Sequence, residues 1–214
     1  GKILSEIAYS DTQLTYLTSK ISLLSGHLLK NPTRMALRRA VDTDENDLLL
    51  ITNSTDGSIA AYSLMRSQNV IAPSEFVTAG GEFLDVGVDI TTIYAVVKRT
   101  ISGTAQYYVE RFDHTLLTDS AKTGGVASTV SMSHVVGKEV NVLLDGIVQA
   151  NQTVPGGGTV TFPRASASSY EVGLPITVQA TTMPIDVKIQ SGTRLGFKKR
   201  IVEVNAIGID HIIY

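Results

Sequence analysis

The four histidines, His27, His114, His134 and His211, are the first residues to weigh for chemistry. No two stand at the His-x-x-x-His spacing that lets imidazoles share a metal ion. His27 lies among Leu23, Leu24 and Leu28, where a packed core or boundary histidine is expected. His134, beside Val135 and Val136, is expected in a turn role. Asp42, Asp44, Glu45, Asn46 and Asp47 resemble the oxygen-rich part of a calcium loop. Such a loop needs Gly at its sixth position for a sharp turn and a bidentate Glu at its twelfth. Counted from Asp42, those positions hold Asp47 and Asn53, so a solvated turn before a strand is expected instead. Gly156-Gly157-Gly158 leads into Thr159-Val160-Thr161-Phe162, a strand pattern, with no Gly-Lys-Ser/Thr. A phosphate cradle needs a helix N-terminus after its glycines, so these form a hairpin turn. The chain has no Gly-x-Ser-x-Gly elbow, and its carboxylates fall in turns and strand ends, unpaired by spacing. No catalytic residue, metal site or cofactor is assigned, and the chain reads as a structural or binding module.

One basic group remains: Arg194, Lys198, Lys199 and Arg200. On a segment where charged and apolar residues partly alternate, it reads as a solvated sheet edge, since edge lysines deter aggregation. The functional alternative is a docking patch for an acidic neighbour or a phosphate backbone.

The elements around these residues are mostly strands. With 43% hydrophobic and 18% charged residues, the chain is globular, and its 214 residues suffice for one large or two modest domains. A formal net charge of −2 gives no global field toward nucleic acid or an anionic membrane. No Cys is present, so disulfides and thiolate metal sites are excluded. No apolar run reaches the ~18–20 residues of a helical membrane span. Leu23, Leu24, His27 and Leu28 give one apolar helical face that Ser19 or Ser22 could cap and Asn31-Pro32 would stop. Residues 35–41 fit strand or helix. From Asp47 the period changes, and 48–52 reads as a buried-strand run. Strands are expected at 48–52 and 58–65 about an Asp56-Gly57 turn, then at 83–88, 93–99 and 106–112. This is an antiparallel meander of the kind found in a propeller blade.

Residues 116–128 are polar and contain Gly124-Gly125, so a linker is expected there. Beyond it, Asp145-Gly146 between 139–144 and 147–153 is the strongest hairpin signal in the chain. Further strands are expected at 159–162, 167–172, 176–180, 185–189 and 200–205. The expected division is an N-terminal helix plus meander over 1–115, a small β-barrel or β-sandwich over 129–190, and a returning strand over 191–214. The chain opens on Gly1 and closes on Ile212-Ile213-Tyr214 in an apolar rhythm, so an excerpt of a longer polypeptide is expected.

Two segments carry a family resemblance. Residues 47–113 run through "DGSIAAYS", "RSQNVIAPSEF", "GEFLDVGV", "IYAVVKR" and "YYVERFD". This cadence resembles the tail nozzle, tail tubular B or stabilisation proteins of short-tailed bacteriophages and prophages. Residues 130–174 are similar to the small β-domain that follows in those proteins, through Ser133-His134, Gly137-Lys138, Asp145-Gly146 and Glu171-Val172-Gly173-Leu174. Glu6–Asp11 and Leu23–Leu28 also suit the family. The chain departs from it in being far shorter and in having no Trp.

The resemblance implies a virion component. It would be a homo-oligomeric ring or nozzle that links the connector and other tail proteins, with DNA passing nearby without sequence-specific binding. A carbohydrate-binding or host-adhesion β-module is the alternative, and it would present exposed aromatic platforms.

Overall fold

The computed structural model describes residues 3–166 and 168–181, together with the backbone pairing of Lys188–Ile189 with Gly192–Thr193. Strands β1 (Ser5–Ser10) and β2 (Thr15–Lys20) form a hairpin of their own. Strands β3 (Pro32–Arg38), β4 (Asp47–Asn53), β5 (Ile59–Met65) and β6 (Val70–Phe76) make a four-stranded antiparallel sheet in sequence order. Strands β7 (Gly81–Asp89), β8 (Thr92–Ile101) and β9 (Thr104–Arg111) make a second antiparallel sheet. The expected meander is therefore split in two, and its halves pack face to face.

The sequence of β4 and β5 explains the layering. Leu50, Ile59 and Ala61 point into a core with Phe83, Val86, Ile93, Ala95 and Val97 of the second sheet. The alternate residues Leu49, Ile51, Ala60, Tyr62 and Leu64 are also apolar and meet Leu28 and Leu29 on the other side. Both faces of these central strands are buried, so they lack the apolar–polar alternation of a half-exposed strand. At roughly 1.5–3 kcal/mol per buried large aliphatic side chain, these clusters hold the unit together.

The expected N-terminal helix is absent; the segment holds a single 3₁₀ turn, Gly26–Leu28. One helical turn is too short to be stable without help, and Gly26 weakens it further. The serines serve tertiary structure instead. Ser22 is buried and its Oγ accepts a hydrogen bond from the Leu4 amide at 2.7 Å, while buried Ser25 lies 3.4 Å from the Tyr62 hydroxyl. His27 is exposed, not packed in the core.

The stretch expected as a linker contains a paired strand, β10 (Asp119–Gly124). With β12 (Glu139–Leu144), β13 (Ile147–Val148), β14 (Gln152–Thr153) and β16 (Tyr170–Leu174) it forms a five-stranded sheet ordered β10-β16-β12-β13, with β14 also on β12. A ribbon of β11 (Thr129–Ser131) and β15 (Thr159–Thr161) lies across it. Val130, Met132, Val140, Val142, Leu144, Val160, Phe162 and Val172 belong to one core between them. The unit is a small sandwich, and no sheet among the described residues closes into a barrel. The Asp145-Gly146 hairpin is as expected: Leu144 pairs with Ile147 around two residues with φ 55° and 75°. Residues 176–180, expected as a strand, are not in one, and 200–205 lie outside the described residues.

Candidate functional site

Three features stand apart from ordinary packing: an exposed arm, an exposed sheet face, and a buried ionic joint. The arm is the β1–β2 hairpin. Tyr9 lies opposite Tyr16 and Ile7 opposite Thr18, so Ile7, Tyr9 and Tyr16 share one face. The two tyrosine rings meet edge to face at 5.3 Å. That face covers nothing among the described residues: Ile7 is 68% exposed, Tyr16 71%, and Leu14 at the tip 77%. Leu14 also holds φ 51°, a conformation that residues other than Gly, Asn and Asp rarely adopt. The arm is rooted by the Ile21 amide donating to the Leu4 carbonyl at 2.9 Å and by Glu6 pairing with Arg66 at 2.6 Å.

The second feature is the outer face of the β7–β8–β9 sheet. Alternation sends Ile93, Ala95 and Val97 inward and Tyr94, Val96 and Lys98 outward. On β9 the residues opposite them are Arg111, Val109 and Tyr107. Val109 is 74% exposed and Tyr107 64%. The Lys98 ammonium reaches Glu82 at 3.2 Å across the sheet.

The joint sits on the inner side of that sheet, where β8 and β9 meet the second unit. The Arg99 side chain is 1% exposed. Its Nε and Nη2 donate to Glu110 at 3.1 and 2.9 Å, its Nη1 donates to the Ala79 carbonyl at 2.8 Å, and its Nη2 stands 3.4 Å from Asp119. Asp119, the first residue of β10, accepts from Thr78 Oγ1 at 2.6 Å and from the Ala79 amide at 3.0 Å. The Ser120 hydroxyl donates to Glu110 at 3.0 Å. His134 Nε2 donates to the Ser120 carbonyl at 2.8 Å, and the Tyr108 hydroxyl donates to the His134 carbonyl at 3.1 Å. A buried guanidinium needs paired carboxylates and filled donor sites, and this network supplies them from both units. The sequence carried a signal for it: Arg99 has the same parity in β8 as Ile93, Ala95, Val97 and Ile101, which places it on the buried face.

At the turn between β4 and β5, Lys30 bonds Asp56 at 2.7 Å and also Glu75. These hydrogen bonds, Asp56 first, hold the Lys30 ammonium above its ordinary pKa. Burial pushes the Asp56 carboxyl up, but hydrogen bonds from Lys30 and Ser58 outweigh it and the carboxyl sits below its usual range. The Thr115 hydroxyl and amide likewise lower Asp113.

The calcium-like cluster forms local contacts, with Asp42 accepting from the Thr43 amide and Glu45 pairing with Arg38 at 3.3 Å. His134 lies in a short 3₁₀ turn and belongs to the joint. No group of three or more potential metal ligands gathers among the described residues. A cleft between β3 and β7 is lined by Arg34, Asn53, Ser54 and Glu82, with no nucleophile–base pair. The basic patch Arg194, Lys198, Lys199 and Arg200 lies outside the described residues.

No protein-family model matches the chain, and no curated protein matches it. Among solved structures it is similar to an exo-β-1,3-galactanase from Phanerochaete chrysosporium with β-1,3-galactotriose, at 9% identity and TM-score 0.30, over 79% of this chain and 61% of that one. The same enzyme with galactose gives 11% identity and TM-score 0.28, over 80% of this chain and 62% of that one. The chain thus covers less than two thirds of these proteins, and a likeness this low assigns neither fold nor activity. Among the described residues, no helix is long and apolar enough to cross a membrane.

Proposed function

We propose that the chain is a structural subunit of a bacteriophage or prophage tail, part of the ring or nozzle that links the connector to distal tail parts around the DNA exit channel. The observation that carries this reading is the β1–β2 arm, whose apolar face of Ile7, Tyr9 and Tyr16 covers nothing among the described residues. A two-stranded hairpin is marginal in water by itself, so an arm of this composition suits a neighbour that covers it. The resemblance of 47–113 and 130–174 to tail proteins supplies the kind of neighbour. The role is one of assembly, with no catalytic step. Other tail and connector proteins are its partners, the virion is its location, and passing DNA is not read for sequence.

The test is gold-labelled antibody against the chain on purified particles of the phage or prophage that encodes it. Label at the junction of tail and connector is expected. Intact particles free of the chain would overturn the reading. The exposed Tyr94 and Tyr107 favour a second reading, a carbohydrate-binding or host-adhesion module. Retention of the chain on a glycan array, with no label on particles, would select it.

A further inference from the structure

Resting on that assembly reading, we infer that the β1–β2 arm of one copy docks on the outer face of the β7–β8–β9 sheet of a neighbouring copy, head to tail. The layering of the first unit carries the inference. Leu4 and Ile21, at the root of the arm, pack on the cluster of Leu28, Leu29, Leu49, Ile51 and Tyr62. That cluster covers the side of the first sheet turned away from the second sheet. Tyr94, Val96, Tyr107 and Val109 lie on the far side of the second sheet. The order is therefore arm root, first sheet, second sheet, apolar face. The two uncovered surfaces are rooted on opposite sides of the unit.

A symmetric pairing of arm with arm, or of face with face, leaves the other surface bare. Arm on face covers both with a single kind of contact. It is heterologous, so each copy offers one donor and one acceptor, and repetition gives a closed ring or an open filament. The dimensions allow it: each arm strand is six residues, about 20 Å long, and the β8–β9 pair, ten and eight residues, is longer at about 26 Å or more, so the arm fits within it. Charge also agrees at one end. The arm turn carries exposed Asp11, and the face carries, beside Tyr94, Arg111, whose Nη2 pairs with Asp113 at 3.3 Å while its side chain stays 62% exposed. A net charge of −2 sets no strong repulsion between copies.

The experiment uses the whole chain and two exposed substitutions, Tyr16→Asp on the arm and Val109→Asp on the face. Far-ultraviolet circular dichroism and melting confirm that each variant folds like the parent. Mass is then followed against concentration by analytical ultracentrifugation. The parent is expected to associate, and each variant to need at least a tenfold higher concentration, because a carboxylate must be desolvated at the contact. An equimolar mixture of the variants is expected to form a 1:1 heterodimer and stop there. The Val109→Asp copy keeps a good arm and the Tyr16→Asp copy keeps a good face, so one contact forms and no more.

A parent that stays monomeric at high concentration overturns the inference, as does a mixture that stays monomeric. Unchanged association in either single variant also overturns it, as does a Val109→Asp variant that loses glycan retention but keeps the parent's mass. Particle labelling is read separately. Labelled tails with a failed complementation leave the tail reading standing and remove only this contact.

Discussion

Arg99 on β8 and Asp119 at the start of β10 stand 3.4 Å apart across the junction of the two β-units, with Arg99 also bonded to Glu110 on β9. This contact joins the sheet carrying the exposed tyrosines to the second unit. Replacing Arg99 with Met leaves Glu110 and Asp119 facing each other without a cation, and the Ala79 carbonyl without its donor. Breaking one side of a fully buried pair costs about 3–5 kcal/mol. Glu110 and Asp119 keep some water contact, at 18% and 21% exposure, so a loss of about 2–3 kcal/mol is expected. Urea unfolding followed by hydrogen exchange should show early opening at 78–80 and 119–124. Uniform destabilisation across both units would contradict a local joint.

Gly173 of β16 lies under that joint. A Cβ there would stand 2.5 Å from Thr118 Oγ1 and 2.7 Å from the Asp119 carbonyl oxygen. The Asp119 oxygen is backbone, so it cannot swing aside as the end of a flexible side chain could. Gly173→Ala is expected to push β10 from β16 and cost about 1–3 kcal/mol, the range for overpacking. Thermal melting measures the loss, and combining it with Arg99→Met should give less than the sum, because both act on the same strand.

The contrast between Asp145 and Asp119 shows what was legible in the sequence. Asp145-Gly146 declares a hairpin locally, since both residues must hold positive φ. At Ser102-Gly103 both residues likewise hold positive φ, and at Asp56-Gly57 the Gly does. Asp119 sits in a polar segment whose pairing partner, β16, is some fifty residues away, and nothing local marks it as a strand. β6 was hidden by Pro73, which an edge strand tolerates. The helix expected near Leu23–Leu28 failed because its spacing covers one turn, while Ser22 and Ser25 are held by distant partners. The arm's apolar residues were visible in the sequence, but exposure is a fact of assembly in three dimensions, and no residue spacing reports it.

The Lys30–Asp56 pair makes a pH prediction. The Asp56 carboxyl is held low, so its contribution is present above its unfolded pKa of about 3.9 and is lost as pH falls through the lower folded value. Lys30 is held high, so its contribution is present below about 10.4 and is lost as pH rises through the raised folded value. The stability difference between the parent and Lys30→Met should be flat through the neutral range and shrink toward both extremes. Both side chains are about one third exposed, at 34% and 36%, so solvent screening holds the difference below about 1 kcal/mol. Denaturation midpoints taken from about pH 2 to 12 would reveal it. A difference that grows in acid would show that another group dominates.

The final prediction concerns Ile90, at the tip of the β7–β8 hairpin, where Asp89 pairs with Thr92. Ile90 holds φ 54°, and its side chain is 87% exposed. A β-branched residue in the left-handed region costs roughly 1–2 kcal/mol, and this side chain recovers little by packing. The neighbouring turn at Ser102-Gly103 places Gly where φ reaches 80°, the residue type that carries no such cost. Ile90→Gly removes the strain but adds freedom to the unfolded chain, which takes back about 0.5–1 kcal/mol. A net gain of about 0.5–1 kcal/mol is expected, which in a chain of this size raises the melting temperature by a few degrees. Ile90→Val keeps the β-branch and should bring no gain. If Val stabilises as much as Gly, side-chain exposure rather than backbone strain is the source of the cost.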